Sequence, residues 1–175
     1  MKMKTFDPAG LPEAMALLRE AFQREDSDPR NNEWELAKSL LEDPGYLEEL
    51  CLVAQEGGRT VGYIALTRAQ LGGTQGAALA PLAVAEECRN QGIGSALVEE
   101  SLKRARAMGE PWVIVLGGPY YARFGFEPAR RYGVTVSDNS FENEHLQILF
   151  LTGGPRPSGR AVYCRSFYDK DGNLL

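Results

Sequence analysis

RNQGIGSAL, residues 89–97, is the stretch on which the reading of this chain turns. Before it lies AALAPLAV, residues 77–84, an apolar run of small residues that reads as a buried central strand. After it, Leu97, Val98, Leu102, Ala105 and Met108 recur at helical spacing, while Glu99, Glu100, Lys103, Arg104 and Arg106 fill the opposite face. Residues 92–108 are therefore predicted to be a helix, ended by Gly109 and Pro111. WVIVL, residues 112–116, reads as a second buried strand. The order strand, tight loop, helix, strand implies a crossover connection and locally parallel pairing.

Within the loop, Gly92 and Gly94 leave no side chains to block a ligand approaching the backbone. The first N–H groups of the helix point outward, and with a helix-end charge of about half a unit they suit phosphate oxygens. Asn90 tolerates left-handed backbone angles better than most residues with a side chain. A plain glycine turn explains a bare G-x-G as well, so the surroundings have to decide. No Lys-Ser or Lys-Thr follows the second glycine, which excludes a Walker-type loop, and Leu97 stands where a dinucleotide fingerprint needs its third glycine. Pro81 cannot donate a ladder hydrogen bond, so inside its strand it marks a bulge or a lapse in pairing.

Working outward, Met3–Phe6 is a short strand, and Leu11–Phe22 is a helix with Leu11, Met15, Leu18 and Phe22 on one face and Pro12 in its first turn. REDSDPRNN, residues 24–32, is a loop before a second helix from about Asn32, with Trp34, Ala37, Leu40 and Leu41 inward and Pro44 and Gly45 as its stop. Cys51–Gln55 and Thr60–Thr67 form a hairpin around EGGR, residues 56–59, and a second glycine-rich turn covers Gly72–Gly76. A short helix is expected near Tyr120, and strands at Leu146–Leu151 and Arg160–Cys164. There is no linker or repeat, so residues 1–175 read as one domain of mixed α/β class.

Composition narrows the function. With 43% hydrophobic and 25% charged residues, the chain has the mixture of a soluble globular protein. Nineteen Lys and Arg against 24 Asp and Glu leave a net charge of −5, which argues against a nucleic-acid partner. Cys51, Cys88 and Cys164 form no C-x-x-C pair, so neither a disulfide framework nor a metal site is expected, and reduced thiols fit a cytoplasmic protein. MKMKTFDPAG lacks the apolar core of an export signal, and no apolar run approaches the ~18 residues of a membrane span, so no membrane partner is expected.

RNQGIGSAL also matches the R/Q-x-x-G-x-G/A acetyl-CoA loop of the GNAT N-acetyltransferase superfamily. PLAV, residues 81–84, before it and YYARFGF, residues 120–126, after it sit where that family's pattern wants them. The late segment of residues 159–167, which closes on YCRSF, resembles the ending of the YhbS-like branch of bacterial members. The resemblance implies a central mixed sheet flanked by helices, whose fourth and fifth strands splay apart around the pantetheine arm of acetyl-CoA, the co-substrate. It implies that Leu82, Ala83 and Val84 contact pantetheine, and that Arg89, Asn90, Gln91, Gly92, Ile93, Gly94 and Ser95 hold the pyrophosphate through backbone N–H groups. Pro81 then becomes a bulge residue that frees backbone for a ligand. Tyr121, four residues before Gly125, stands at the family's general-acid position. A phenol with a pKa of about 10 is protonated at neutral pH and can serve a leaving thiolate. Tyr120 is its understudy, and Phe124 and Phe126 read as core. The partner implied is an amine acceptor, a small molecule or a peptide, and many relatives pair as homodimers.

The pattern is not complete. Residues 77–84 contain no acid to assist deprotonation of the amine, and Glu86 and Glu87 just beyond read as solvated loop charges. LGGP, residues 116–119, replaces an asparagine that many members carry there. His145, beside Glu144 and without a motif, reads as a structural or surface residue rather than a base. By the same resemblance the loop of residues 24–32 and the segment after Phe126 line the acceptor side, and in that loop Glu25, Asp26 and Asp28 either attract a cationic substrate or form a solvated charge run. Two functions follow: an active N-acetyltransferase, favoured by Tyr121, and a noncatalytic acyl-CoA-binding or regulatory protein, favoured by the missing acid. In the first, the general base is solvent or a residue outside the fourth strand.

Overall fold

The computed structural model describes residues 1–22, 33–154 and 156–174. Strand β1 (Lys2–Thr5) is followed by helices α1 (Leu11–Ala21) and α2 (Glu33–Glu42). Three long strands come next: β2 (Tyr46–Glu56), β3 (Arg59–Leu71) and β4 (Thr74–Val84). Helix α3 (Ile93–Ala107) connects β4 to β5 (Trp112–Leu116). The remainder holds β6 (Glu127–Pro128), β7 (Val134–Thr135), α4 (Ser140–His145), β8 (Leu146–Phe150) and β9 (Gly159–Arg160). The main sheet runs β1-β2-β3-β4-β5-β8-β6, with β4 and β5 parallel and the other neighbours antiparallel, while β7 and β9 pair separately.

Local chemistry builds the hairpins. Gly57 and Gly58 turn between β2 and β3 at φ +55° and +78°, and Gly72 and Gly73 between β3 and β4 at +54° and +79°. Paired positive φ values match the twist of the flanking strands. The second turn is shorter than the Gly72–Gly76 expected from sequence, because Gly76 belongs to β4. It is a glycine for another reason: a Cβ there would stand 2.3 Å from the ring of Trp112 on the neighbouring strand. Trp112 is fully buried, and its Nε1 donates to Thr74 Oγ1 at 3.1 Å. Helix α3 lies against β2 and β3 over Gly62, where a Cβ would meet Leu97 Cδ1 at 2.8 Å.

One departure from regular pairing shapes the molecule. Parallel pairing of β4 with β5 is limited to Ala77, Ala78 and Leu79 opposite Val113, Ile114 and Val115. On the other edge of β4, Leu79 pairs with Leu66 and Leu82 with Ile64, so Ala80 and Pro81 together oppose Ala65 alone. This is the bulge expected at Pro81, and past it β4 follows β3 away from β5. The sheet therefore opens between its fourth and fifth strands.

The strand expected at Arg160–Cys164 is largely replaced. Only Gly159 and Arg160 join a ladder, and Val162 bridges to Gln70. Beyond them the chain is tied by side chains: Tyr168 Oη accepts from Tyr163 N at 2.8 Å, and Asp43 Oδ2 accepts from Ser166 N at 2.8 Å and Ser166 Oγ at 2.7 Å. The pieces β6, β7 and α4 are too short to show a period in the sequence. Among the described residues, no helix is long and apolar enough to cross a membrane.

Candidate active site

The opening in the sheet exposes backbone. Ala85 N donates to Val61 O on β3 at 2.8 Å. By the two-residue period of a strand, Ala83 also faces β3, while Leu82 and Val84 turn their amide groups toward the gap. The Val84 carbonyl accepts from Arg89 Nε at 3.3 Å. A cavity of about 560 Å³ lies here, lined by Leu82, Ala83, Val84, Arg89, Asn90, Gly92, Ile93, Gly94 and Ser95. Of the cofactor-side residues expected from sequence, Gln91 is not in this lining. Its Nε2 turns back to donate to Glu87 O at 3.3 Å.

The loop geometry follows from its residue types. Asn90 is left-handed at φ +62°, and Gly92, the N-cap of α3, is at φ +82°. No side chain caps α3, so its first amides are left for other acceptors. A Cβ on Gly92 would meet nothing within 4 Å, so its backbone angle is what calls for glycine. At Gly94 a Cβ would stand in ordinary contact, 3.4 Å from Tyr120 Oη and 3.6 Å from Val84 Cγ2, so only a larger side chain would fill the cavity there.

Tyr120 and Arg123 also line this cavity, and no motif in the sequence points to Arg123 there. Tyr120 Oη lies 3.2 Å from Ser95 Oγ, which joins the turn Pro119–Phe124 to the first turn of α3. The Arg123 guanidinium sits 4.2 Å from the Tyr120 ring centre, and its Nε donates to Tyr120 O at 3.0 Å. Arg89 and Arg123 are the cations in the described lining, which contains no acid.

A second cavity of about 790 Å³ shares Leu82 and Phe22 with the first. Tyr121 lines it, with its ring packed on Gly117 so closely that a Cβ there would lie 2.3 Å from Tyr121 Cε2. Edge contacts to Tyr120 at 5.1 Å and Phe126 at 5.9 Å fix the ring further. Burial pushes the Tyr121 phenol up to about 12, with Tyr120 adding to the effect. Buried Gln147, on β8, holds the LGGP loop by donating Nε2 to Gly118 O at 2.6 Å and to Gly117 O at 3.4 Å. The other walls come from Glu35, Leu36 and Ser39 on α2, Phe141 and Glu142 on α4, and Tyr163, Ser166, Phe167, Asp169 and Leu174 near the C-terminus. Both α4 and the C-terminal wall belong to the segment after Phe126 that the family resemblance set on the acceptor side, although neither carries a motif of its own.

The acids near β4 lie elsewhere. Glu87 pairs with Arg59, and a backbone N–H together with that guanidinium holds its carboxyl below the ordinary value. Neither Glu86 nor Glu87 lines either cavity. His145 is also outside both: its Nδ1 lies 2.7 Å from Phe141 O, and its ring lies 4.2 Å from that of Phe141. Glu25, Asp26 and Asp28 lie outside the described residues. Among the described residues, no group of three His, Cys, Asp or Glu side chains could hold a metal ion.

Comparison with known proteins fits this geometry. Residues 11–126 match the model of the Acetyltransferase (GNAT) family. The chain is 35% identical over 153 residues to the uncharacterized N-acetyltransferase YhbS of Escherichia coli K12, a match that covers 83% of this chain and 87% of that one. It is 41% identical over 103 residues to the uncharacterized N-acetyltransferase YjhQ of the same organism, of whose length the match spans 57%. Among solved structures, E. coli YhbS in complex with CoA superposes with a TM-score of 0.83 at 30% identity, covering 95% of this chain and 91% of that one. A GNAT family acetyltransferase from Brucella melitensis in complex with acetyl-CoA gives 0.77 at 26% identity, covering 95% and 97%.

Proposed function

The chain belongs to the GNAT acetyltransferase family, and on that premise we propose that it transfers an acetyl group from acetyl-CoA to a primary amine by direct attack, with Tyr121 as general acid. The observation that carries this reading is the meeting of two cavities at Leu82: one holds the free end of α3 and two arginines, the other holds Tyr121. The first fits a phosphate-bearing cofactor, since it offers unpaired helix amides, open space at Gly92 and unpaired backbone on β4. Leu82, Ala83 and Val84 would hold the pantetheine arm, and the loop Arg89–Ser95 the pyrophosphate.

Acetyl-CoA supplies the thioester carbonyl that the amine attacks and the CoA thiolate that leaves. Tyr121 donates its phenolic hydrogen to the leaving sulfur. A phenol near 12 would lose that proton for good only at a cost, because a thiol has a pKa of about 8.5. Tyr121 therefore works as a relay, giving its proton to sulfur as it regains one from the attacking nitrogen. The amine must arrive neutral, and its first proton goes to water or to a carboxylate of the second cavity, since Glu86 and Glu87 line neither cavity.

The test is acetyl-CoA-dependent release of thiol with a panel of amines, on the parent and on Tyr121→Phe. The variant keeps the ring and loses the proton, so acetyl-CoA should raise the melting temperature of both proteins. Turnover by the variant should fall about 100-fold to 10,000-fold. Tyr120→Phe measured beside it should keep most of the rate. Parental turnover by Tyr121→Phe would make the phenol a packing residue.

A further inference from the structure

Resting on the reading of the second cavity as the acceptor site, we infer that the acceptor is a cationic amine carried on an apolar body, an arylalkylamine or alkylamine, in preference to a hydroxyl-rich amine. The two adjoining cavities have opposite character. The cofactor side holds Arg89 and Arg123 with no acid, while the other side holds Glu35, Glu142 and Asp169 with no Lys, Arg or His in its described lining. The chain as a whole has 19 basic and 24 acidic residues, so this division is not its average composition. It matches an anionic cofactor on one side and an ammonium on the other.

Two of the acids are fixed in place. Glu142 accepts from Ser137 Oγ, and Asp169 Oδ1 accepts from Asp171 N at 2.9 Å and Asn173 N at 2.8 Å. A carboxylate offers about four acceptor sites, so both retain capacity for an ammonium.

The rest of the wall suits a hydrocarbon. Leu36, Leu116, Phe141, Phe167 and Leu174 contribute from separate stretches of chain, and the volume of about 790 Å³ is that of a small-molecule site. Phe141 lines the cavity while 67% exposed, so its ring is open to an occupant. Two of the polar side chains in the wall are already engaged, Ser166 Oγ as a donor to Asp43 and Asn139 Oδ1 as the cap of α4 through Phe141 N and Glu142 N, while the Tyr163 hydroxyl is buried without a hydrogen-bond partner. The three carboxylates and the Tyr163 hydroxyl can serve an ammonium and few other polar atoms, so a sugar-like amine would leave part of its hydroxyls desolvated against Leu36, Leu116, Phe167 and Leu174.

The test is calorimetric binding to the protein saturated with CoA, using 2-phenylethylamine, 2-phenylethanol and glucosamine. We expect 2-phenylethylamine to bind at least about tenfold tighter than either of the others. Phe141→Ser should weaken the aryl amine several-fold, and the double variant Glu35→Gln/Glu142→Gln should erase its advantage over the alcohol. Both variants should keep the melting shift given by acetyl-CoA. Equal binding of glucosamine, equal binding of the alcohol, or no binding of the aryl amine would each overturn the inference. Thiol release separates it from the transfer reaction. An aryl amine that binds but releases no thiol counts against the proposed reaction alone, whereas glucosamine acetylated as efficiently as 2-phenylethylamine counts against this inference alone.

Discussion

Replacing Gly117 with alanine should damage catalysis without touching a reacting group. Gly117 supports the face of Tyr121: a Cβ there would lie 2.3 Å from Cε2 and 2.8 Å from Cδ2 of that ring. Carbon atoms settle at about 3.5 Å, so the ring edge must withdraw by about 1 Å. It can do so, because Tyr121 borders a cavity. The cost in stability should therefore sit at the low end of overpacking, about 1 kcal/mol. A displacement of about 1 Å at a catalytic group costs about 100-fold in rate. The expected result for Gly117→Ala is thus a kcat about 100-fold lower, with the melting shift given by acetyl-CoA preserved. Gly118→Ala is the matched control, since a Cβ there meets nothing within 4 Å, and it should keep the parental rate. The double variant Gly117→Ala/Tyr121→Phe should be no slower than Tyr121→Phe, because both changes act through one phenol. Steady-state thiol release at saturating acetyl-CoA measures all four proteins. Parental turnover by Gly117→Ala, or a double variant far slower than Tyr121→Phe, would refute the reasoning.

Further outcomes follow from the same geometry. Gly94→Val should abolish the acetyl-CoA melting shift and keep the fold, whereas Gly92→Val should also lose about 1–2 kcal/mol by itself, since its φ of +82° is strained for any side chain; chemical denaturation with and without acetyl-CoA checks both. Arg123→Gln should raise KM for acetyl-CoA about tenfold but leave acetyl-pantetheine, which lacks the phosphates, unaffected, and equal effects on the two would remove the arginine from the phosphate side. Burial holds the phenols of Tyr63, Tyr121 and Tyr163 above their ordinary value. Their unfolded pKa is about 10, so above that pH the unfolded chain loses protons that the folded one keeps. Stability should be full below pH ~10 and fall above it by up to about 1.4 kcal/mol per pH unit for each such tyrosine. Denaturation between pH 8 and 11 measures this, and a flat profile would contradict it.

The features legible in the sequence are those whose causes are local. The small-residue strand, the glycine loop and the amphipathic helix α3 are specified by residues close along the chain, through side-chain period and backbone freedom. Left-handed Asn90 and Gly92, the Gly57-Gly58 turn and the bulge at Pro81 belong to the same class, because each follows from what one or two residues can or cannot do. Those features supply most of the residues that line the first cavity.

Tertiary packing was needed to define the second cavity and to set the two adjacent tyrosines against different neighbours. Tyr120 and Tyr121 have the same chemistry, and no local rule assigns them different partners. In the tight turn Pro119–Phe124, with about three residues per turn, neighbours point about 120° apart. One ring therefore meets Ser95 beside the first cavity, and the other lies on Gly117 beside the second. Gln147 from β8, Phe141 and Glu142 from α4, and Asp169 from near the C-terminus all reach this region. Asp43 holding Ser166 across 123 positions is what turns the C-terminal stretch into a wall rather than the strand its residues suggest. Such contacts depend on which surfaces the folded sheet brings together, and neither periodicity nor residue type along a single chain encodes that.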